Sequence, residues 1–188
     1  MNKRLYDEIS AYVPYDEKEQ VDKETMLKYI ENNEDVLTRD NNIAHFTASA
    51  WITNKDRTKV LMIHHNIYNS WAWVGGHADG DEDLFYVINK EIEEETGLTS
   101  VRPIIDSIFG LNIVTVDAHI KRGKQVNSHL HFDLEYLFEA DEDLELTIKE
   151  DENSGVKWIP IDEVNNYSIE TKMYPIYDRL SKKLKELK

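Results

Sequence analysis

The residues best suited to chemistry are three glutamates within one short stretch of the chain. Glu91, Glu94 and Glu95 are spaced i, i+3 and i+4, and on a helix this spacing places all three carboxylates on one face. Like charges at these spacings destabilise a helix by about 0.2–0.5 kcal/mol per pair. A divalent cation would remove that repulsion, and clustered carboxylate oxygens suit Mg²⁺ or Mn²⁺. The spacing therefore predicts a metal-binding helix face.

The elements around these glutamates can hold them in place. The stretch Asp83 to Thr96 has helical spacing, with apolar residues at Leu84, Val87, Ile88 and Ile92. Gly97 follows it, and a glycine at this position commonly ends a helix. Before it, Gly75 and Gly76 let the backbone approach a ligand closely, because glycine has no Cβ. We expect the apolar face to dock on a sheet while the acidic face lines a cleft.

Here the resemblance to a known family becomes specific. The segment Gly76 to Leu98 resembles the Nudix box, with one departure, since Lys90 stands where the family has arginine. The matching positions are Gly76, Glu82, Glu91, Ile92, Glu94, Glu95, Gly97 and Leu98, at the spacing of the box. The resemblance extends over roughly residues 42 to 170 and leaves the N-terminal residues unexplained.

The resemblance implies a fold and a division of the chain. The fold would be of the α+β class, a Nudix-like α/β/α sandwich with a mixed sheet between helices. Residues 42–188 would form the Nudix hydrolase domain. Residues 1–41 would form an N-terminal helical extension packed on that core.

The resemblance also implies a metal-dependent hydrolase of the Nudix type, a nucleotide pyrophosphohydrolase. It would use Mg²⁺ or Mn²⁺ to cleave the phosphoanhydride bond of a nucleoside diphosphate linked to another moiety. The implied metal ligands are Glu91, Glu94, Glu95 and the carbonyl of Gly75. Glu91 would also orient or deprotonate water, Lys90 would brace a catalytic glutamate, and Gly76, Glu82 and Gly97 would support the site. A further acid from a later loop would complete it, with Glu150, Asp151 and Glu152 as the candidates.

Composition narrows the classes of partner. The 188 residues carry a net charge of −15 and no cysteine. The charge disfavours bulk nucleic acid and anionic membranes as partners. The lack of cysteine excludes disulfides, zinc-thiolate sites and cysteine nucleophiles. The N-terminus has no signal-peptide pattern and no stretch is apolar enough to span a membrane. We therefore expect a cytoplasmic enzyme acting on a small phosphoanhydride, with a homodimer compatible with the family.

The rest of the chain alternates strand and helix patterns. Strands are predicted over Ala44 to Thr53, Lys59 to His65, Ile104 to Val116, His129 to Glu139 and Val156 to Pro160. Helices are predicted over Asp16 to Asp35, from Ile161 to Asn165, and over Lys172 to Leu187. Lys121 to Ser128 is a predicted polar hairpin loop, and Asp141 to Asn153 fits a loop or a weak strand.

Two other functions are weighed against the hydrolase. The first is a catalytically weak nucleotide-binding or regulatory protein on the same fold, although every metal-ligand glutamate of the box is present. The second is an isoprenoid-diphosphate isomerase, whose chemistry, as the family is known, uses a cysteine that this chain lacks. His129 and His131 share one face of a predicted strand, and His77 follows the paired glycines. We interpret His129 and His131 as packing or surface residues and do not assign them to a metal. His77 could touch substrate, but we interpret it as an incidental loop residue.

The departure at Lys90 generates a prediction. Arginine braces a carboxylate with a rigid planar fork, whereas lysine offers one flexible point charge. Lysine keeps the sign of the charge, so we expect activity that is reduced or retuned rather than lost. The substitution Lys90→Arg should therefore raise kcat, measured on any compound that the wild-type chain hydrolyses. Unchanged or lower turnover in this variant would show that the bracing argument does not apply to this chain.

Overall fold

The strand β1, Ala44–Thr53, is the most completely buried element of the protein. All ten of its residues are buried, as expected for a central strand covered on both faces. In the computed structural model, residues 2–121 and 123–187 are described. Met1, Arg122 and Lys188 lie outside the described residues. The predicted divisions 1–41 and 42–188 therefore each include one terminal residue that is not described. The predicted loop Lys121 to Ser128 includes Arg122, which is also not described.

Helices and strands follow one another along the described residues as a mixed α and β chain. The helices are α1 Lys3–Ala11, α2 Glu17–Asn32, α3 Leu84–Thr96, α4 Val164–Tyr167 and α5 Tyr174–Glu186. After β1, the strands are β2 Lys59–His65, β3 Ser70–Ala72, β4 Val74–His77, β5 Arg102–Pro103, β6 Gly110–Val116, β7 His119–Lys121, β8 Lys124–Val126, β9 His129–Glu139 and β10 Asn153–Pro160. Short 3₁₀ turns precede α4 and α5, over Ile161–Glu163 and Thr171–Met173.

The strand pairing confirms the predicted α+β class with a mixed sheet. Eight of the described strands belong to one sheet, in which β1 has β2 and β9 as neighbours. Further pairings join β10 and β3 to β2, β4 to β1, and both β5 and β6 to β9. The strands β7 and β8 form a separate hairpin.

The chain divides into two compact units, each with its own buried side chains. The first unit comprises Met1–Ser49, Gly75–Ile88 and Ile105–Tyr136, and the second comprises Ala50–Val74, Asn89–Ile104 and Leu137–Lys188. The strands β1 and β9 and the helix α3 contribute residues to both units. The predicted boundary after residue 41 stays a prediction.

In the first unit, the N-terminal helices pack on strands. Leu5 and Ile9 lie one turn apart on α1 and are both 0% exposed, a burial of about 1.5–3 kcal/mol for each side chain. The Tyr136 hydroxyl on β9 donates a hydrogen bond of 2.8 Å to Glu8 on α1. The Ile113 amide on β6 donates one of 3.1 Å to the Asp22 carboxylate on α2. These contacts attach both helices to β6 and β9 of the same unit.

In the second unit, the C-terminal helix packs on a strand through aromatic rings. β2 pairs with β10 in antiparallel register, with Leu61 opposite Trp158. The ring of Trp51 on β1 stacks on that of Tyr177 on α5, with centroids 5.7 Å apart. Leu180, one turn along α5, is fully buried. The side of α5 that carries Tyr177 and Leu180 is therefore its core-facing side.

Several bounds differ from the sequence-based prediction. The helix α1 was not predicted, because its apolar residues form only one short stripe. The strand predicted from Ile104 begins only at Gly110. The predicted loop Lys121 to Ser128 contains the short strand β8. Between Asp141 and Glu152 there is no regular element, which confirms the loop alternative for that segment. Among the described residues, no helix is long and apolar enough to cross a membrane.

Gly97 ends α3 in a conformation that other residues adopt only under strain. Its φ is +75°, and a Cβ added here would lie 2.3 Å from the Thr147 hydroxyl oxygen. Two constraints therefore require glycine at this position: the left-handed backbone and the close side chain of Thr147.

A substitution at Gly97 separates these two constraints. Gly97→Ala should lower the free energy of unfolding by about 2–4 kcal/mol, since backbone strain of about 1 kcal/mol adds to overpacking of about 1–3 kcal/mol. Gly123→Ala is the matched control, because Gly123 has the same φ of +75° but nothing within 4 Å of an added Cβ. Urea unfolding of both variants measures the difference. Equal losses in the two variants would show that Thr147 does not restrict Gly97.

Candidate functional site

The helix α3 begins at a side-chain cap. The Asp83 carboxylate accepts a hydrogen bond of 3.0 Å from the Tyr86 amide, the arrangement that stabilises a helix N-terminus. The amide of Asp83 in turn donates 2.8 Å to Asp81. The Arg4 guanidinium on α1 lies 2.6 Å from the Asp83 carboxylate. The N-terminal segment therefore contacts the capping residue of the helix that carries the candidate site.

One face of α3 is apolar and buried, as predicted. Leu84, Ile88 and Ile92 are each 0% exposed, which fixes the rotation of the helix about its axis. With the rotation fixed, the i, i+3, i+4 spacing determines where Glu91, Glu94 and Glu95 project. Glu91 and Glu94 are half-buried, and Glu95 is 1% exposed. The glutamates therefore do not spread into bulk water.

The ammonium group of Lys149 lies among these carboxylates. Its Nζ is 2.7 Å from Glu94 Oε2 and 3.2 Å from Glu152 Oε1. Burial acts to lower the pKa of Lys149, but the hydrogen bonds to Glu94 and Glu152 prevail and raise it. Lys149 therefore carries its positive charge throughout the neutral pH range. The ion pair with Glu94 lowers the pKa of that glutamate, so Glu94 is ionised.

Glu91 has a different electrostatic environment. Burial raises its pKa, Lys149 opposes this rise, and the nearby charges of Glu152 and Glu94 add to it. A carboxylate with a raised pKa accepts a proton more readily than an ordinary one. The pKa of Glu91 is thus raised and that of Glu94 lowered, although the two residues lie within one turn of the helix.

The segment that carries Lys149 is attached to the end of α3. The Asn153 side chain donates a hydrogen bond of 3.0 Å to the carbonyl of Glu95, and the Thr147 amide donates 2.9 Å to the carbonyl of Thr96. Among the three loop acids predicted from sequence, Glu152 contacts this cluster through Lys149. Glu150 and Asp151 are exposed.

The other box residues have separate positions. The Nζ of Lys90 is 3.4 Å from Glu94 Oε1, and its side chain is 58% exposed. Glu82 is exposed in the turn before α3. In the first unit, Gly75 lies so close to β1 that an added Cβ would be 2.8 Å from the Ala48 carbonyl oxygen. The predicted metal contact of the Gly75 carbonyl stays a prediction.

The donor chemistry of the cluster fits a hard divalent cation. Glu91, Glu94, Glu95 and Glu152 offer only carboxylate oxygens, which Mg²⁺ and Mn²⁺ prefer. Among the described residues, no three of these glutamates bring ligand oxygens within 4.8 Å of one another. The Lys149 ammonium compensates part of their negative charge. Glu91, Glu94 and Glu152 are only half-buried.

Lys149 was not identified from the sequence. It is the sole basic residue in the acidic stretch Asp141 to Glu152. That isolation is a signal that could have singled it out. Its partner Glu94 is 55 residues away in the chain, so local patterns do not reveal the pairing.

The aromatic residues near the box pack within the second unit. The Trp73 ring meets that of Tyr177 edge to face with centroids 5.6 Å apart. The Trp71 ring meets that of His64 in the same way at 5.4 Å. Both tryptophans therefore pack against other aromatic rings of the second unit.

Comparison with known proteins identifies the family. The family model of the NUDIX domain matches residues 44–180. The chain therefore belongs to the Nudix family, and with it to the Nudix-type pyrophosphohydrolases, which act on acid anhydrides in phosphorus-containing compounds. No curated protein sequence matches this chain.

Solved structures confirm the fold. A C. elegans Ap4A hydrolase in a binary complex is similar, with a TM-score of 0.54 and 16% identity, covering 76% of this chain and 98% of that one. The NUDIX domain of Shewanella oneidensis NrtR, complexed with ADP ribose, has a TM-score of 0.55 and 17% identity, covering 84% of this chain and 97% of that one. The E. coli dihydroneopterin triphosphate pyrophosphohydrolase has a TM-score of 0.56 and 12% identity, covering 76% of this chain and 96% of that one. The predicted Nudix-like sandwich is therefore confirmed as the fold class.

Proposed function

We propose that this chain hydrolyses the phosphoanhydride bond of a nucleoside diphosphate linked to another moiety. Glu91, Glu94, Glu95 and Glu152 would hold Mg²⁺ or Mn²⁺. The observation that carries the proposal is the carboxylate cluster at the end of α3. Its negative charge is partly compensated by the ion pairs with Lys149. The cluster coincides with the glutamates of the Nudix box.

The substrate class is supported by the compounds associated with three similar structures. One is an Ap4A hydrolase, one is complexed with ADP ribose, and one is a dihydroneopterin triphosphate pyrophosphohydrolase. These compounds share a phosphoanhydride bond and differ in what is attached to it. A net charge of −15 would repel such polyanions, so local positive charge at the site is needed to admit them.

Each residue has a distinct role in the proposed reaction. Water adds its oxygen to one phosphorus while the bond from that phosphorus to the bridging oxygen breaks. Glu91 would orient the attacking water or accept its proton. Glu94, kept ionised by Lys149, holds negative charge for cation binding. When bound, the divalent ion neutralises charge on the phosphate oxygens and lowers the pKa of water.

Two further residues hold this arrangement together. Asn153 binds the Glu95 carbonyl and keeps the segment carrying Lys149 and Glu152 beside α3. Lys90 offers a second positive charge to Glu94 from the adjacent turn of the helix. Both act on the glutamates rather than on the substrate.

A matched pair of glutamate variants tests the proposal. The wild-type chain is assayed on ADP-ribose, a diadenosine polyphosphate and nucleoside triphosphates, with Mg²⁺, with Mn²⁺ and after chelation. We expect turnover only with a metal, and a loss of about 10²-fold or more in Glu94→Gln, the scale of losing one electrostatic stabiliser. Glu93→Gln is the control, because Glu93 is exposed on the same turn of α3 and should keep the wild-type rate.

Two outcomes would contradict this account in different ways. Equal turnover by Glu94→Gln and the wild type would remove the site assignment while leaving a hydrolase. No turnover of any compound with either metal would favour the alternative of a nucleotide-binding or regulatory protein, which calorimetry with the same compounds would then detect.

A further inference from the structure

Four histidines gather at neighbouring strands of the first unit. His45 lies near the start of β1, His77 at the end of β4, and His129 and His131 on β9. The sheet places β1 beside both β4 and β9, so three separate stretches of the chain bring imidazole rings to one place. Ring centroids within this histidine cluster are 4.8–5.1 Å apart.

The ligand atoms of three of these rings converge. One ring nitrogen from each of His45, His77 and His131 lies within 4.8 Å of the other two. A tetrahedral zinc ion with Zn–N bonds of about 2.0–2.1 Å holds its ligand nitrogens about 3.3 Å apart. A contraction of about 1.5 Å at most would therefore bring the three nitrogens to bonding positions, which side-chain rotation can supply.

The Nε2 atom of His45 is oriented as that of a metal ligand would be. Its Nδ1 lies 3.1 Å from the Asn41 carbonyl oxygen, so Nδ1 carries the hydrogen and the lone pair is on Nε2. His45 is 4% exposed, and its Nε2 is buried without a hydrogen-bond partner among the described residues. Burial lowers the pKa of His45, which keeps the ring neutral. A backbone carbonyl behind one nitrogen and a bare lone pair on the other is how metal-binding histidines are oriented.

His129 shows the same orientation. Its Nδ1 lies 2.8 Å from the Asn127 carbonyl oxygen, which leaves the Nε2 lone pair directed toward His131. The Nε2 of His131, 3.1 Å away, donates a hydrogen bond to this lone pair. The separation is close to the spacing of about 3.3 Å between two nitrogens on one tetrahedral ion, which would take the place of that hydrogen. His129 is thus a fourth nitrogen donor beside the group of three.

We propose that His45, His77 and His131 form a binding site for a borderline divalent cation of the Zn²⁺ type, with His129 beside them as a fourth donor. Imidazole nitrogens select Zn²⁺, Cu²⁺ or Ni²⁺, whereas carboxylate oxygens select Mg²⁺ and Mn²⁺. The histidine cluster is therefore chemically distinct from the glutamates of α3. The inference does not depend on the proposed hydrolase activity.

A cation at this site would join three strands that are far apart in sequence. His77 also directly precedes the turn of residues 78–83 that leads into the capped start of α3. Binding stabilises the folded state over the unfolded one by an amount that grows with the logarithm of the affinity. The cation would thus stabilise the first unit and fix the entry to that turn.

A zinc titration tests the proposal. The chain is freed of metal by chelation and titrated with Zn²⁺ in excess Mg²⁺, which occupies the oxygen donors of α3. We expect one equivalent to bind and the midpoint of thermal unfolding to rise. His77→Gln and His131→Gln should each weaken binding at least tenfold, while His119→Gln should bind as the wild type does, because His119 is half-buried on β7, outside the cluster.

A second measurement on the wild type covers variants that fail to fold. Spectra that correlate ring protons with ring nitrogens report which imidazole nitrogen is protonated and which is bound. The Nε2 signals of His45 and His129 should shift on addition of Zn²⁺, while those of His119 stay in place. Unmoved signals from the cluster, or wild-type affinity in a correctly folded His131→Gln variant, would overturn the proposal.

Discussion

The structure of the candidate site depends on one electrostatic constraint: the carboxylates at the end of α3 are held together only with positive charge beside them. Glu91 and Glu94 lie one turn apart and Glu152 adds a third charge to the same region. Such neighbours repel one another. The Lys149 ammonium, 2.7 Å from Glu94, relieves part of this repulsion, and a divalent cation can relieve more because it carries twice the charge.

The surrounding elements prevent the carboxylates from moving apart. At its start α3 is capped by Asp83, which also meets Arg4. Along its length the buried residues Ile88 and Ile92 prevent rotation of the helix. At its end Gly97 admits the Thr147 side chain. A helix fixed in this way cannot rotate to separate Glu91 and Glu94 from Glu152, so the repulsion between these carboxylates persists.

How much could be predicted from the sequence follows from the range of the interactions. The bounds of β1 and β2 match the predicted ones, because strand-forming residues that flank a turn are a local signal. The Nudix box is also local, and it identified the family and the glutamates of α3. Lys149 and the histidine cluster were missed, because both depend on pairing between distant stretches. The sequence could not distinguish among the three candidate loop acids. The contact between Lys149 and Glu152 now favours Glu152.

The most direct test of the electrostatic constraint is the affinity for Mn²⁺, measured by the loss of the free-ion electron paramagnetic resonance signal. Lys149→Gln removes the ammonium that compensates the carboxylates, while Lys185→Gln changes the net charge equally at an exposed ion pair with Asp162. If the carboxylates exchange one cation for another, Lys149→Gln binds Mn²⁺ several-fold more tightly than Lys185→Gln. Equal or weaker binding by Lys149→Gln would contradict the account.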